Sequence, residues 1–302
     1  GAIFNDNENG TGSGHVRVYK LSNDEDNDGV FDINDAFPNN STETKDTDND
    51  GTGDNADVFP TNPALGSIDT LVWNQLGIEI SVESVRSLSL SANGNTVAIA
   101  IGAHYDHTGH APGHVKVAPG HVKVYKFNTD TWSQIGANID GEAAMDYSGN
   151  SVSLSVDGTI VAIGATGETG SGRVKVYNFN NGSWVQKGAD IDGEAANDWS
   201  GYSVSLNDAD GTIVAIGATN NDGLNGNDSG HVRVYKFTSD VWTPVGDDID
   251  GENADDQSGW SVSLSADGTT VAIGAKYNNG NGIFCGHVRV YELNGTGWVQ
   301  KG

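Results

Sequence analysis

One unit is written several times along this chain, and that self-similarity limits the fold to architectures assembled from copies of one supersecondary piece. Five tryptophans, Trp73, Trp132, Trp184, Trp242 and Trp298, each open a W-x-x-x-G segment and stand 59, 52, 58 and 56 residues apart. Three further runs recur in fixed order before each of the last four. The first is S-V-S-L-S or a near variant at 87–91, 151–155, 203–207 and 261–265; the second is V-A-I-G-A at 161–165, 214–218 and 271–275, lengthened to VAIAIGA at 97–103. The third is G-H-V-R-V-Y or a variant at 14–19, 120–125, 172–177, 230–235 and 286–291.

Alternation of small or polar with apolar residues in the first and third runs predicts strands, and Asp157-Gly158 and Asp267-Gly268 predict hairpins between the first and second. Each unit is therefore expected to be a four-stranded antiparallel meander. Serines in the first strand suit a crowded inner position, and the continuous apolar second strand suits burial on both faces. The fold class expected is all-β, a β-propeller of four full blades and a half blade. A solenoid is the competing architecture, and four antiparallel strands per unit fit a blade better. The expected division is 1–21, the end of a blade; 22–66, an insertion; 67–80, the last strand of that first blade; then blades at 81–140, 141–192, 193–250 and 251–302. The 42 glycines with abundant Asn, Asp, Ser and Thr agree with short strands and tight turns.

The repeat resembles the integrin-like FG-GAP propeller repeat, in a form where a G-x-S-V strand leads to I-G-A and then to G-H-V-R-V-Y. The resemblance implies a propeller, and a seven-bladed ring at this period needs roughly 350 to 400 residues. The chain is thus expected to belong to a larger protein, as its opening at Gly1 without a leader pattern also suggests. Integrin-type blades often carry a D-x-D-x-D-G calcium loop between the first two strands. Here the corresponding turns hold Asn93-Gly94, Asp157-Gly158, Asp210-Gly211 and Asp267-Gly268, so that calcium site is not expected in these blades.

Residues 22–66 carry twelve acidic side chains against one lysine, in a regular pattern. Asp24, Asp26, Asp28, Asp32 and Asp35 occupy positions 1, 3, 5, 9 and 12 of a loop with Gly29 at position 6; Asp46, Asp48, Asp50, Asp54 and Asp57 repeat it around Gly51, 22 residues later. Alternate carboxylates around a glycine turn can converge on one hard cation, with the carbonyls of Val30 and Thr52 in the seventh position. The segment is expected to bind Ca2+ and to be disordered without it, because unscreened carboxylates repel. A solvated acidic linker is the plainer alternative. The insertion resembles two thrombospondin type 3 repeats, including the trailing Phe37-Pro38 and Phe59-Pro60 pairs. That resemblance implies calcium and an extracellular or cell-surface setting.

The loops joining the fourth strand to the next first strand read DGEAAMDYSGN, DGEAANDWSGY and DGENADDQSGW. They offer Asp140, Glu142, Asp146 and Tyr147; Asp192, Glu194, Asp198, Trp199 and Tyr202; and Asp250, Glu252, Asp256 and Trp260. Carboxylates beside aromatic platforms suit calcium or sugar binding. The competing reading makes each Asp a turn cap and each aromatic an inter-blade filler. His104, His107, His110 and His114 with Asp106 could ligate a transition metal. His114, however, falls in a duplication, APGHVKV at 111–117 and again at 118–124, whose second copy carries the strand position His121. His15, His121, His231 and His287, with Arg173 in the same place, are expected to be structural.

A formal net charge of −26 excludes the basic field that phosphate backbones require, so nucleic acid is not an expected partner. No apolar stretch approaches the ~18 residues of a spanning helix, and membrane insertion is not expected. A single cysteine, Cys285, permits no internal disulfide and no paired-thiol zinc site. With no G-x-S-x-G, P-loop or H-E-x-x-H, an enzyme is not expected. The leading expectation is a calcium-stabilised, non-enzymatic extracellular module of a larger surface protein, acting in adhesion or extracellular assembly. A calcium-dependent glycan-binding lectin and a structural spacer or filament subunit are the alternatives. The expected partners are a protein or glycan ligand, or further copies of the chain.

Overall fold

The computed structural model of the chain describes residues 13–16, 19, 20, 39, 45, 74–102, 119–167, 170–207, 210–280, 282, 285–295 and 297–302. The chain divides into two units, Arg17–Ile78 on its own and Gly1–Val16 with Glu79–Gly302. The calcium ligands expected in the insertion and the histidine cluster at 104–114 lie outside the described residues.

In the larger unit β1 (Ser13–Val16) pairs antiparallel with β4 (Ile80–Glu83); in the smaller, β2 (Tyr19–Lys20) pairs with β3 (Asn74–Gln75). Four antiparallel sheets follow, each resembling a propeller blade. Blade A holds β5 (Val85–Leu90), β6 (Thr96–Ile101), β7 (His121–Asn128), β8 (Thr131–Gln134) and β9 (Ile139–Asp140). Blade B holds β10 (Ser148–Leu154), β11 (Ile160–Ala165), β12 (Arg173–Asn180), β13 (Ser183–Gln186) and β14 (Ile191–Asp192). Blade C holds β15 (Ser200–Leu206), β16 (Ile213–Ala218), β17 (His231–Thr238), β18 (Val241–Pro244) and β19 (Ile249–Asp250). Blade D holds β20 (Ser258–Leu264), β21 (Thr270–Ala275), β22 (His287–Asn294) and β23 (Gly297–Gln300).

The expected four-strand meander is present, with one refinement. The outermost strand is broken: β13 pairs with the far end of β12, Tyr177 to Asn180, while β14 pairs with its start, Arg173 and Val174. The W-x-x-x-G glycine causes the break, since Gly136, Gly188 and Gly246 take φ of 70°, 78° and 71°. The pairs Val16–Ile80 and Tyr19–Gln75 reproduce Val122–Ile139 and Tyr125–Gln134 of blade A.

The core lies between blades. Ala98, Val122 and Val124 of blade A pack on Val152, Leu154 and Ile163 of blade B, and the same interface recurs between B and C and between C and D. The second strands β6 and β11 are buried along their whole length, as a central strand covered on both faces must be. Each fully buried valine contributes about 1.5–3 kcal/mol. Val122, Val174 and Val232 are 0 % exposed, whereas their counterpart in blade D, Val288, is 69 % exposed.

The S-V-S-L code has a specific use. The first serine donates from Oγ to a carbonyl of the next blade: Ser87 to Gly149 at 3.0 Å, Ser151 to Gly201 at 2.8 Å, Ser203 to Gly259 at 2.7 Å. The second accepts from a backbone amide there: Ser89 from Leu154, Ser153 from Leu206 and Ser205 from Leu264, at 2.9, 2.9 and 3.0 Å. Side chains thus stitch neighbouring first strands together without a shared sheet. At the periphery the tryptophans of blades B, C and D reach back one blade, with Nε1 of Trp184, Trp242 and Trp298 donating to the carbonyls of Ile135, Lys187 and Val245.

The Asp-Gly turns close through side chains. Asp267 Oδ1 accepts from Ser265 Oγ at 2.6 Å, Thr269 N at 3.0 Å and Thr269 Oγ1 at 2.8 Å. These bonds hold its carboxyl at about 2, against an ordinary 3.8. Asp157 and Asp210 are also held low. Partial burial of Asp157 acts upward but is outweighed by bonds from Thr159 and Ser155; at Asp210 the Thr212 hydroxyl leads. Because the folded pKa is depressed, the stabilisation is fully present above about pH 4 and lost as pH falls through the folded value. The difference in Tm between the native chain and Asp267→Asn is therefore expected to be constant above pH 5 and to shrink from pH 4 towards 2. A difference independent of pH over that window contradicts this account.

Candidate functional site

In each blade the loop entering the first strand and the loop leaving the second emerge at the same end. In blades B, C and D the entering loop is shaped by the aspartate two residues before the first strand. Asp146 accepts from the amides of Glu142 at 2.8 Å and Ser148 at 3.0 Å. Asp198 accepts from Ala195 N and from Asn221 Nδ2, both at 2.9 Å; Asp256 accepts from Asn253 N at 3.0 Å and Asn278 Nδ2 at 2.7 Å. Asp198 and Asp256 are only 4 % and 1 % exposed. These aspartates organise the loop, as Asx-type turns do, and in blades C and D clamp the neighbouring second-to-third loop through a buried asparagine.

Asp140, Asp192 and Asp250 end the short outer strands, in register with His121, Arg173 and His231. Partial burial pushes the Asp250 carboxyl up, with His231 pulling it down. The loop glutamates turn outward onto the cations of the following blade. Glu142 pairs with Arg173 and Lys175, Glu194 faces His231 and Arg233, and Glu252 pairs with Arg289 and faces His287 at 3.6 Å. Burial lowers the His231 pKa despite the carboxylates beside it.

The aromatics come together across blades. Trp199 stacks with Tyr202 at a centroid distance of 6.4 Å, Tyr202 meets Trp260 at 4.7 Å, and Trp260 meets Tyr277 at 6.2 Å. Lys276 Nζ lies 3.7 Å from the Trp260 ring centre and 4.7 Å from that of Tyr277. Burial raises the Tyr202 hydroxyl pKa. Tyr147 and Trp199 hold left-handed backbone at φ of 52° and 57°, a conformation that costs a side-chain-bearing residue roughly 1–2 kcal/mol.

Tyr202 and Trp260 stand immediately before the first bonding serine of their blades, and Arg86 and Asn150 hold the same place in blades A and B. The row is continuous. Arg86 Nη2 donates to Asn150 Oδ1 at 2.6 Å, and Asn150 Nδ2 donates to the Tyr202 carbonyl at 2.9 Å. Arg86, Asn150 and Lys276 were not anticipated as site residues. For Arg86 and Asn150 the available signal was that the position before the first bonding serine reads Arg, Asn, Tyr and Trp in the four blades while the serine itself is constant.

No protein-family model and no curated protein matches the sequence. Solved structures of similar arrangement include the periplasmic gluconolactonase PpgL of Pseudomonas aeruginosa, at TM-score 0.48 and 14 % identity, covering 78 % of this chain and 61 % of that one. TolB from Acinetobacter baumannii matches at TM-score 0.43 and 15 % identity, covering 77 % of this chain and 46 % of its own. Hydrazine synthase of Kuenenia stuttgartiensis matches at 0.43 and 12 %, covering 72 % and 48 %. The chain thus spans less than two thirds of the length of each of these three.

Proposed function

We propose that this chain is a non-enzymatic, calcium-stabilised binding module of a larger extracellular or cell-surface protein, acting in adhesion or extracellular assembly. Its ligand site is the row running from Arg86 through Asn150, Tyr202 and Trp260 to Lys276 and Tyr277. The observation that carries this reading is the aromatic run at the loop-bearing end, where half-buried rings from two blades meet beside amide and cationic groups. Loops on a rigid β scaffold commonly carry binding residues. The recurrent loop carboxylates already serve backbone amides and neighbouring cations, which favours binding over acid–base chemistry. Calcium is assigned to residues 22–66 on their D-x-D-x-D-G pattern.

The same row favours a glycan as the ligand class. Ring faces pack against the C–H faces of a sugar while amide and ammonium groups meet its hydroxyls. The test is a glycan-array screen in millimolar calcium and in chelator, comparing the native chain with Trp260→Ala and Tyr202→Ala. Selective binding reduced at least tenfold by Trp260→Ala supports this site. Binding retained by both variants overturns it, and no glycan binding in either condition transfers the reading to a protein partner or self-assembly.

A further inference from the structure

The same four positions meet beside the outer strand in blades B and C, and they are filled differently. In blade B, Arg173 Nη1 lies between two carboxylates, 2.7 Å from Glu142 Oε2 and 3.3 Å from Asp190 Oδ2. In blade C the arginine is replaced by His231 and the carboxylates by Glu194 and Asp248. His231 Nδ1 points between them from 4.0 Å to Glu194 Oε2 and 3.8 Å to Asp248 Oδ2, too far to hydrogen-bond either. Histidine is shorter than arginine, so of the two tethered cations of blade B, Arg173 and Lys175, only Lys175 has a covalent counterpart in blade C, Arg233. The imidazole is only 3 % exposed, which excludes bulk water as the ready explanation for its orientation.

The other oxygens of the two carboxylates face Arg233 as ion pairs. Arg233 Nη1 lies 3.6 Å from Glu194 Oε1, and its Nε lies 3.3 Å from Asp248 Oδ1. Oε2 and Oδ2 are left facing the imidazole, and the three donor atoms lie within 4.8 Å of one another. Two donors on one tetrahedral ion at bond lengths near 2.0–2.2 Å lie about 3.4 Å apart, so each histidine–carboxylate distance has to shorten by about half an ångström for both to bind one ion. Glu194 and Asp248 are partly exposed and can close the remaining gap by rotation. The cluster opens into a cavity of about 690 Å³ whose wall also carries Asp222, Asp247 and Asp250. That surplus of negative charge outweighs the single positive charge of Arg233 and favours entry of a cation.

We propose that Glu194, His231 and Asp248 bind a divalent first-row transition ion such as Zn2+, with water completing the coordination. The ion stands where the Arg173 guanidinium stands in blade B, and Arg233 holds the two carboxylates in place, as partners of metal ligands do. An imidazole with two carboxylates suits zinc, whereas Ca2+ prefers oxygen ligands throughout.

The test uses the full chain saturated with Ca2+, so that oxygen-only sites are filled, and titrates it with Zn2+ by calorimetry and with Co2+ by visible absorption. His231→Arg copies blade B and is expected to keep the fold, checked by Tm. It is expected to abolish one equivalent of Zn2+ binding, and Glu194→Gln to weaken that equivalent at least tenfold. Zinc sites elsewhere are common to all three proteins and cancel in the difference. Unchanged stoichiometry and affinity in both variants, or a native chain that binds no Zn2+, overturns the proposal.

Discussion

Replacing Gly230 by alanine is expected to lower stability by about 3 kcal/mol or more, from strain and overpacking together. Gly230 precedes β17 at φ 69°, and a Cβ placed on it would lie 2.2 Å from the Ser258 carbonyl oxygen and 2.6 Å from the Ser258 nitrogen. The obstacle is backbone on both counts, and that backbone cannot retreat freely. Ser258 N donates to the Ser229 carbonyl at 2.9 Å, and Gly251 N donates to the Gly230 carbonyl at 2.7 Å, so moving the first strand of blade D opens the interface of blades C and D. Gly172 is the same position one blade earlier, with its Cβ 2.2 Å from the Ser200 oxygen, and Gly172→Ala is expected to cost a similar amount. Gly297→Ala, with nothing within 4 Å and no positive φ, is the control expected to stay within about 0.5 kcal/mol of the native chain. Urea unfolding followed by far-UV circular dichroism measures all three. A Gly230→Ala chain as stable as the Gly297→Ala control contradicts the close backbone approach.

Trp242→Ala is expected to cost about 3–4 kcal/mol, in the range for a large aromatic removed from a packed site. The ring packs against the core shared by blades B and C, meets Phe237 at 5.0 Å, and donates from Nε1 to the Lys187 carbonyl at 2.8 Å. Cδ1 would be 2.8 Å from a Cβ on Gly188, so the bare glycine is the seat on which the ring lies. Trp242→Phe keeps part of the packing and loses the hydrogen bond, with an expected cost of about 1–2 kcal/mol. The ordering of the two variants by Tm and urea midpoint is the check. Equal effects would mean that the indole N–H, and not the buried ring, ties blade C to blade B.

Much of the blade was legible because its strands advertise themselves by period. S-V-S-L alternates, V-A-I-G-A does not, and the two patterns alone distinguish a half-covered strand from a fully covered one. The serines were legible as small residues but not as hydrogen-bonding ones, because Ser153 bonds Leu206 and Ser205 bonds Leu264, more than fifty residues away. The broken outer strand was missed for a related reason. Gly188 reads as an ordinary turn residue until Trp242, from the next blade, is seen lying on it.

The candidate site divides along the same line. Tyr202, Trp199 and Trp260 were recognised as aromatic loop residues, but their continuity with Arg86, Asn150, Lys276 and Tyr277 depends on blade spacing, which no local pattern encodes. The loop aspartates are equivalent in sequence yet graded in burial, with Asp256 at 1 % and Asp146 partly open. His231 reads as one more copy of the strand histidine. Only the tertiary structure places it opposite Glu194 and Asp248, where the neighbouring blade puts an arginine.

The amino-acid sequence by itself determined the repeat, the strand order and the antiparallel meander, because those depend on side-chain periodicity and turn chemistry within about fifty residues of chain. The tertiary structure alone decided which blades touch, which glycines are indispensable and which carboxylates face a cation. Those properties arise from distances between atoms far apart in the chain, and at a blade interface a few ångströms separate a hydrogen bond, a steric collision and a cation site.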